Sequence, residues 1–441
     1  MVRTSELKLV QEKETYETLL PKYLSLLETL KREFPVKNGE SYSNLVNFKT
    51  NKEIPRHNWF EYKQGYSEQL IVQILEKEKP SKNDYVLDPF TGVGTTNLVA
   101  QTMGFKSIGF DINPVATFVA EVKTTFFDDR QIKKLIKLLQ DFNPMKNSLH
   151  VPNSPLLEKS FDKKTFDKLM KIKGFYESID EPIIQSFFKL AYLNIIEDCS
   201  NRAKDGNGIK IVKNKQPVED VFSYYENVCN NMIEDINHIN RHKESVIING
   251  SMLLNNNFNQ VKNKKASIVI FSPPYANCFD YCEVYKLELW MGDFVKSYDD
   301  FKLYRNMALR SHVNSTFDHY IENLNWKVNI VADLISCFNI WNKNIPDMIR
   351  GYFDDMIVVF EKLRHMMIEG AKCYIVVANS GYKGILVPTD LLLADIAESR
   401  GFKVIEIIQA RKIRASSQQM KVLHNEYDNL MRESIIILER K

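Results

Sequence analysis

Three short segments of this 441-residue chain pair chemically useful residue types with spacings that bring them to one edge of a sheet. The first is Val86-Leu87-Asp88-Pro89-Phe90-Thr91-Gly92-Val93-Gly94-Thr95-Thr96, an apolar strand running into a glycine-spaced turn and then a helix. Glycines 92 and 94 have no Cβ, so the backbone there can lie directly against a ligand. A phosphate-cradling loop is the competing idea, but the turn lacks a Gly-Lys-Ser/Thr end. The second is Asp111, which closes the next apolar strand about 20 residues after Gly92, where a carboxylate accepts hydrogen bonds from both hydroxyls of a ribose. Ile112 and Asn113 follow it and would lie beside the base, although Asn113-Pro114 equally suits a helix start. The third is Ser272-Pro273-Pro274-Tyr275, directly after the apolar run Ala266 to Phe271. It puts a hydroxyl, a rigid stretch of backbone and an aromatic face at a strand's carboxyl end, where open α/β sheets bind ligands.

The elements that must position these groups are legible as patterns. Tyr85-Val86-Leu87 predicts a strand, Asn97 to Met103 a helix closed by Gly104, and Ser107 to Phe110 a second strand, together a βαβ unit. Further strands are expected at 245–248, 266–271, 372–378, 403–409 and 434–438, the last two as an antiparallel pair at a sheet edge. Residues 1–55 form an N-terminal helical region, in which apolar spacing from Leu7 to Leu30 predicts an amphipathic helix pair. A ligand-binding half spans 56–125, the strand and tetrapeptide 245–275, and the end of the sheet 365–441. Two helical insertions, 126–244 and 276–364, interrupt this rhythm, the first too long for an unstructured loop in a compact domain.

Asp88 to Thr95, taken with Ser272-Pro273-Pro274-Tyr275, resembles the paired motifs of the amino-group DNA methyltransferases, whose catalytic tetrapeptide is Asp/Asn/Ser-Pro-Pro-aromatic. The resemblance implies a Rossmann-like α/β sheet of about seven strands with the last pair antiparallel. It also implies S-adenosylmethionine as cofactor, bound by Asp88 to Thr96 (Val93 apart), Asp111, Ile112 and Asn113. Within 56–75, Tyr66 and Ser67 fall where the family covers the cofactor's methionine end. Asn249-Gly250-Ser251 falls on the adenine side without the acidic residue often found there. In this family Ser272 Oγ and the Pro273 carbonyl would accept the two N–H bonds of an exocyclic amine, and Tyr275 would stack on a flipped base. Serine at the first position points to cytosine N4, with adenine N6 the alternative. C5 methylation needs a Pro-Cys pair, and the chain has none. An RNA or protein-amide methyltransferase, or a DNA-binding subunit with a degenerate cofactor site, are the rivals.

Composition bounds the rest. The chain is 44% hydrophobic and 26% charged with a net charge of +3, so basicity alone does not mark a nucleic-acid binder. Local clusters do better: residues 201–215 and 403–421 each hold five basic residues against one acid. Arg202, Lys204, Asn207 and Lys210 in the first insertion, with Arg414, Ser416, Ser417 and Gln418 between the last strands, are the candidate contacts to double-stranded DNA. The first insertion is the candidate for target recognition. A cognate restriction or defence protein is implied as partner by the resemblance alone. Six scattered cysteines without a CxxC pair give no metal site, and Cys278 and Cys282 are expected to be buried thiols. No apolar run reaches membrane-spanning length, and Met1 to Val10 lacks a secretory core, so the expected location is the cytoplasm.

Overall fold

The computed structural model describes residues 15–62, 64–205, 208–238, 243–315, 325–413 and 430–441. Its strands, in chain order, are β1 (Val36–Asn38), β2 (Tyr85–Asp88), β3 (Lys106–Asp111), β4 (Arg202–Asp205), β5 (Gly208–Ile211), β6 (Ser245–Asn249), β7 (Ala266–Phe271), β8 (Met367–Ala378), β9 (Ser380–Tyr382), β10 (Ile385–Val387), β11 (Phe402–Lys412) and β12 (Arg432–Arg440). Eight of them form one sheet in the order β6-β3-β2-β7-β8-β12-β11-β1. Strands β6, β3, β2, β7 and β8 run parallel, and β12 is antiparallel to both of its neighbours. This is the expected Rossmann-like arrangement, with one strand more than the seven foreseen.

The central strands are apolar on both faces because both are covered. Along β7, Ile268 and Ile270 pack with Val86, Leu70 and Ile74 on one side. Val269 and Phe271 face the opposite cluster with Leu87, Phe110 and residues of helix Ile345–Met366. Helix Glu68–Glu78 buries Leu70, Ile71, Ile74 and Leu75 at helical spacing, is capped at its start by Ser67 Oγ, and ends at Lys79 in the left-handed conformation before Pro80.

Strand order reverses between β2 and β7, so the turns after Asp88 and after Phe271 open side by side at the carboxyl edge. That crevice is where a parallel sheet offers room for a ligand.

The N-terminal region departs from expectation. Helix Tyr16–Glu33 forms, burying Leu19, Tyr23, Leu26, Leu27 and Leu30, but the following residues add β1 to the sheet, parallel to β11. Three residues are too few to display the period-2 pattern that betrays a strand. The first insertion is mainly helical, with helices Asp129–Gln140, Lys163–Glu177, Pro182–Ile195 and Val221–Glu234 around an aromatic core that includes Phe187, Phe188 and Tyr225. It also carries the β4-β5 hairpin, which the helical expectation did not contain. The second insertion holds helices Tyr281–Val284, Lys286–Met291, Tyr298–Met307, Trp326–Ser336 and Ile345–Met366. Among the described residues no helix is long and apolar enough to cross a membrane.

Candidate active site

The turn after β2 is shaped by its two glycines. Gly92 has φ +51°, and a Cβ there would lie 2.8 Å from the ring of Tyr62, which stacks on Tyr285 with ring centroids 5.4 Å apart. Gly94, at φ +79°, begins helix Thr95–Thr102, and a Cβ on it would come within 2.7 Å of Ala120 Cβ. One glycine therefore bares backbone towards the crevice, and the other lets two helices approach.

Asp111 faces the same crevice. Its Oδ2 accepts from the Gly92 N–H at 2.9 Å and its Oδ1 from the Asn113 N–H at 2.8 Å. Burial pushes its pKa up to about 6, against the lowering effect of those backbone donors. Asn113 caps helix Pro114–Thr124 through Oδ1, while its Nδ2 is buried with no partner among the described residues. Pro89, Phe90, Thr91, Gly92 and Thr95 line one wall of the pocket with Tyr66, and Asp111, Ile112 and Asn113 a second, which Ser251 extends. Ser272, Pro273 and Pro274 close the inner end.

Ser272 also borders a second pocket on its far side, shared with Tyr275, Asn277, Lys204, Arg411 and Glu433. Gln64, Gly65 and Tyr66 border both pockets as well, so the two cavities meet at the serine. Tyr275 is half-buried, and its hydroxyl donates to Glu433 Oε1 and accepts from Ser272 Oγ at 3.5 Å.

Comparison with known proteins finds methyltransferases. Residues 6–121, which include the Gly92 turn and Asp111, match the DNA methylase family. The chain is 28% identical to Type II methyltransferase M.BsoBI of Geobacillus stearothermophilus, over 92% of this chain and 90% of that protein. It is 24% identical to Type II methyltransferase M.AvaI of Nostoc sp., over 96% and 95%. These matches support a DNA amino-methyltransferase. Among solved structures, an rRNA methyltransferase from Streptomyces viridochromogenes aligns over 85% of each chain at 10% identity with a TM-score of 0.28.

The methyl donor of such an enzyme is S-adenosylmethionine, which when bound supplies an electrophilic methyl group on a sulfonium. The residues present suit it. Asp111 offers a carboxylate on the wall that would accept from ribose hydroxyls, Gly92 leaves bare backbone beside it, and the orphaned Asn113 Nδ2 is a donor awaiting an acceptor.

Not every residue singled out in the sequence reaches the pocket of this methyltransferase. Asp88 is 1% exposed, and its carboxylate is occupied by the Tyr66 hydroxyl and Thr96 Oγ1, each at 2.7 Å, and by the Phe90 N–H at 3.0 Å. It locks the turn to Tyr66 and to helix Thr95–Thr102, and burial raises its pKa to about 6. Ser67 is buried as a helix cap and pairs with Thr50, and Gly94 and Thr96 pack behind the wall. Cys282 stands on the pocket wall with its thiol pushed up to about 12 by burial, so it stays protonated at neutral pH.

The basic cluster of the first insertion is corrected in part. Arg202 is buried, with Nε donating to Ser160 Oγ at 2.6 Å. The Lys204 side chain is 7% exposed, paired with Glu197 and Glu288 and set over the Tyr285 ring. Neither is free to meet a phosphate, because Ser160 holds the arginine and Glu197 and Glu288 hold the lysine. Lys210 is exposed and pairs with Asp205 at 2.6 Å. Asn207, Arg414, Ser416, Ser417 and Gln418 lie outside the described residues.

Sequence reasoning missed the wall that the second insertion adds to this pocket, from Asp280, Leu309, Ser311 and His312. Asp280 is held by the Arg305 Nε at 2.6 Å, and no local motif marks either residue. It also missed Glu433, second in a strand that opens Arg432-Glu433-Ser434, with no local motif to mark it.

Proposed function

We propose that this protein is a site-specific methyltransferase that transfers the methyl group of S-adenosylmethionine to the N4 amino group of a cytosine flipped out of duplex DNA. The observation that carries the proposal is the position of Ser272 on the shared wall of two pockets, one fitting the cofactor and the other facing Tyr275. An exocyclic amine conjugated to its ring is a weak nucleophile, so it must be held with its lone pair towards the methyl donor. Ser272 Oγ and the Pro273 carbonyl accept its two N–H bonds and fix that direction. Tyr275 offers an aromatic face that offsets the stacking lost when the base leaves the duplex. Serine rather than Asp or Asn at position 272 supports cytosine.

Target recognition falls to the first insertion, whose hairpin delivers Lys204 and Asp205 to the rim of the second pocket. Lys210, Asn207 and the 414–418 segment are the proposed backbone contacts. The Type II names of the relatives support a restriction–modification setting with a cognate nuclease as partner. The test is mass spectrometry of nucleosides from duplex DNA incubated with the protein and isotopically labelled S-adenosylmethionine. Labelled N4-methylcytosine is the expected product. N6-methyladenine would overturn the base assignment, and label found only in RNA or protein would overturn the DNA substrate.

A further inference from the structure

The amine that enters this reaction carries two hydrogens and leaves with one. As its nitrogen bonds to the methyl carbon, the carbon–sulfur bond breaks with its electron pair going to sulfur, which becomes a neutral thioether and takes up no proton. One proton must therefore leave the methylated amine. Ser272 and Pro273, which hold the two N–H bonds, are neutral acceptors with no lasting affinity for it.

We propose that Glu433 is the proton acceptor, reached from the target amine through the hydroxyls of Ser272 and Tyr275. Ser272 Oγ donates to the Tyr275 hydroxyl at 3.5 Å, and that hydroxyl donates in turn to Glu433 Oε1. A proton arriving on Ser272 Oγ displaces the serine proton to Tyr275, and the tyrosine proton to Glu433, which ends as a neutral acid while both hydroxyls are restored. The serine–tyrosine step sits at the outer limit for a hydroxyl pair, as catalytic hydrogen bonds do before substrate binds.

The placement of Glu433 argues for such use. It is 3% exposed near the start of β12, followed by Ser434 to Leu438, all buried, where a carboxylate needs partners, and the Tyr275 hydroxyl is one of them. Arg411 stands opposite it in the β11-β12 register, and its Nε bonds Glu433 Oε2 at 2.5 Å. The register shift between Gln409 and Arg411 sets that pairing. With 37% of its side chain exposed, Arg411 links the buried carboxylate to the protein surface. The relay rests on amino-group transfer at the Ser-Pro-Pro-Tyr segment and serves cytosine or adenine equally.

The test compares Glu433→Gln, Glu433→Asp, Tyr275→Phe and the double variant Tyr275→Phe/Glu433→Gln in single turnovers on duplex DNA. Cofactor affinity and melting temperature serve as folding controls. Glu433→Gln and Tyr275→Phe are each expected to slow transfer by roughly 100-fold. The double variant is expected to be no slower than the slower single one, and Glu433→Asp to recover part of the rate. A solvent isotope effect on wild-type transfer is expected, and its loss is expected in both single variants. An infrared difference spectrum of one wild-type turnover shows a protonated carboxyl that Glu433→Gln lacks. Tyr275→Phe leaves the Arg411 pair intact and carries the test if Glu433→Gln does not fold. A wild-type rate in Glu433→Gln, or additive losses with an unchanged isotope effect, would overturn the relay and leave Glu433 as a support for the tyrosine ring. A wild-type protein that methylates no nucleobase amine would instead sink the underlying activity, and the relay with it.

Discussion

Lowering the pH should loosen the grip on S-adenosylmethionine through Asp111. Burial raises this carboxyl from 3.8 to about 6, and only its ionised form can accept bonds from both ribose hydroxyls. For a group with that pKa, the fraction ready to bind is nearly complete at pH 7, about half at pH 6 and roughly one-tenth at pH 5. The dissociation constant should therefore rise about tenfold between pH 7 and pH 5, a change of ~1.4 kcal/mol, and stay flat above pH 7. The sign for the ligand-free protein is the reverse. A raised folded pKa gives stability that is full below 3.8 and is lost as pH climbs to about 6, so the ligand should lift the melting temperature more at pH 7 than at pH 5. Isothermal titration across pH 5 to 8 measures the first effect and thermal unfolding the second. Asp111→Asn should flatten the profile and weaken binding at pH 7 by ~1.5–3 kcal/mol, the usual worth of hydrogen bonds to a charged group. Affinity that does not change from pH 7 to pH 5, or an Asn variant that binds as wild type, would refute the assignment.

Two further outcomes follow from packing. Gly94→Ala and Gly104→Ala both force alanine into positive φ, at +79° and +82°, costing ~1–2 kcal/mol each, but only the first drives its Cβ to within 3.0 Å of Ala120 Cα. Overpacking adds ~1–3 kcal/mol there, so melting temperatures should fall in the order wild type, Gly104→Ala, Gly94→Ala. Lys204 is buried, which disfavours its charge, yet Glu288 and Glu197 outweigh burial and raise its pKa. Lys204→Met should destabilise by ~3–5 kcal/mol in denaturant unfolding, because Glu288 at 1% exposure loses its counter-charge, and adding Glu288→Gln should recover part of the loss.

The cofactor half was legible because its signals are local. The strand, glycine turn, helix and second strand ending in Asp111 fall within one stretch of chain, each with its own period or punctuation. That Ser272 to Tyr275 follows directly on a buried strand was legible for the same reason. What stayed hidden is contact made across long separations. The wall from Asp280 to His312 and the pairing of Tyr275 with Glu433 depend on how the second insertion and the last hairpin return to the sheet. The lysine at 204 misled because five basic residues near a turn look solvated until the fold supplies Glu197 and Glu288. Strand β1 escaped through brevity.

The neighbouring strands β2 and β7 lie roughly 180 residues apart in the chain, and everything between them must be gathered before they can pair. The closure entropy of so wide a separation falls sharply if the aromatic core of the first insertion condenses early and shortens the effective loop. On that route the crevice between the two strands is among the last parts of the molecule to be completed. A nascent or heat-damaged chain would then have compact helices and no catalytic cleft, and regaining the cleft would report the end of folding.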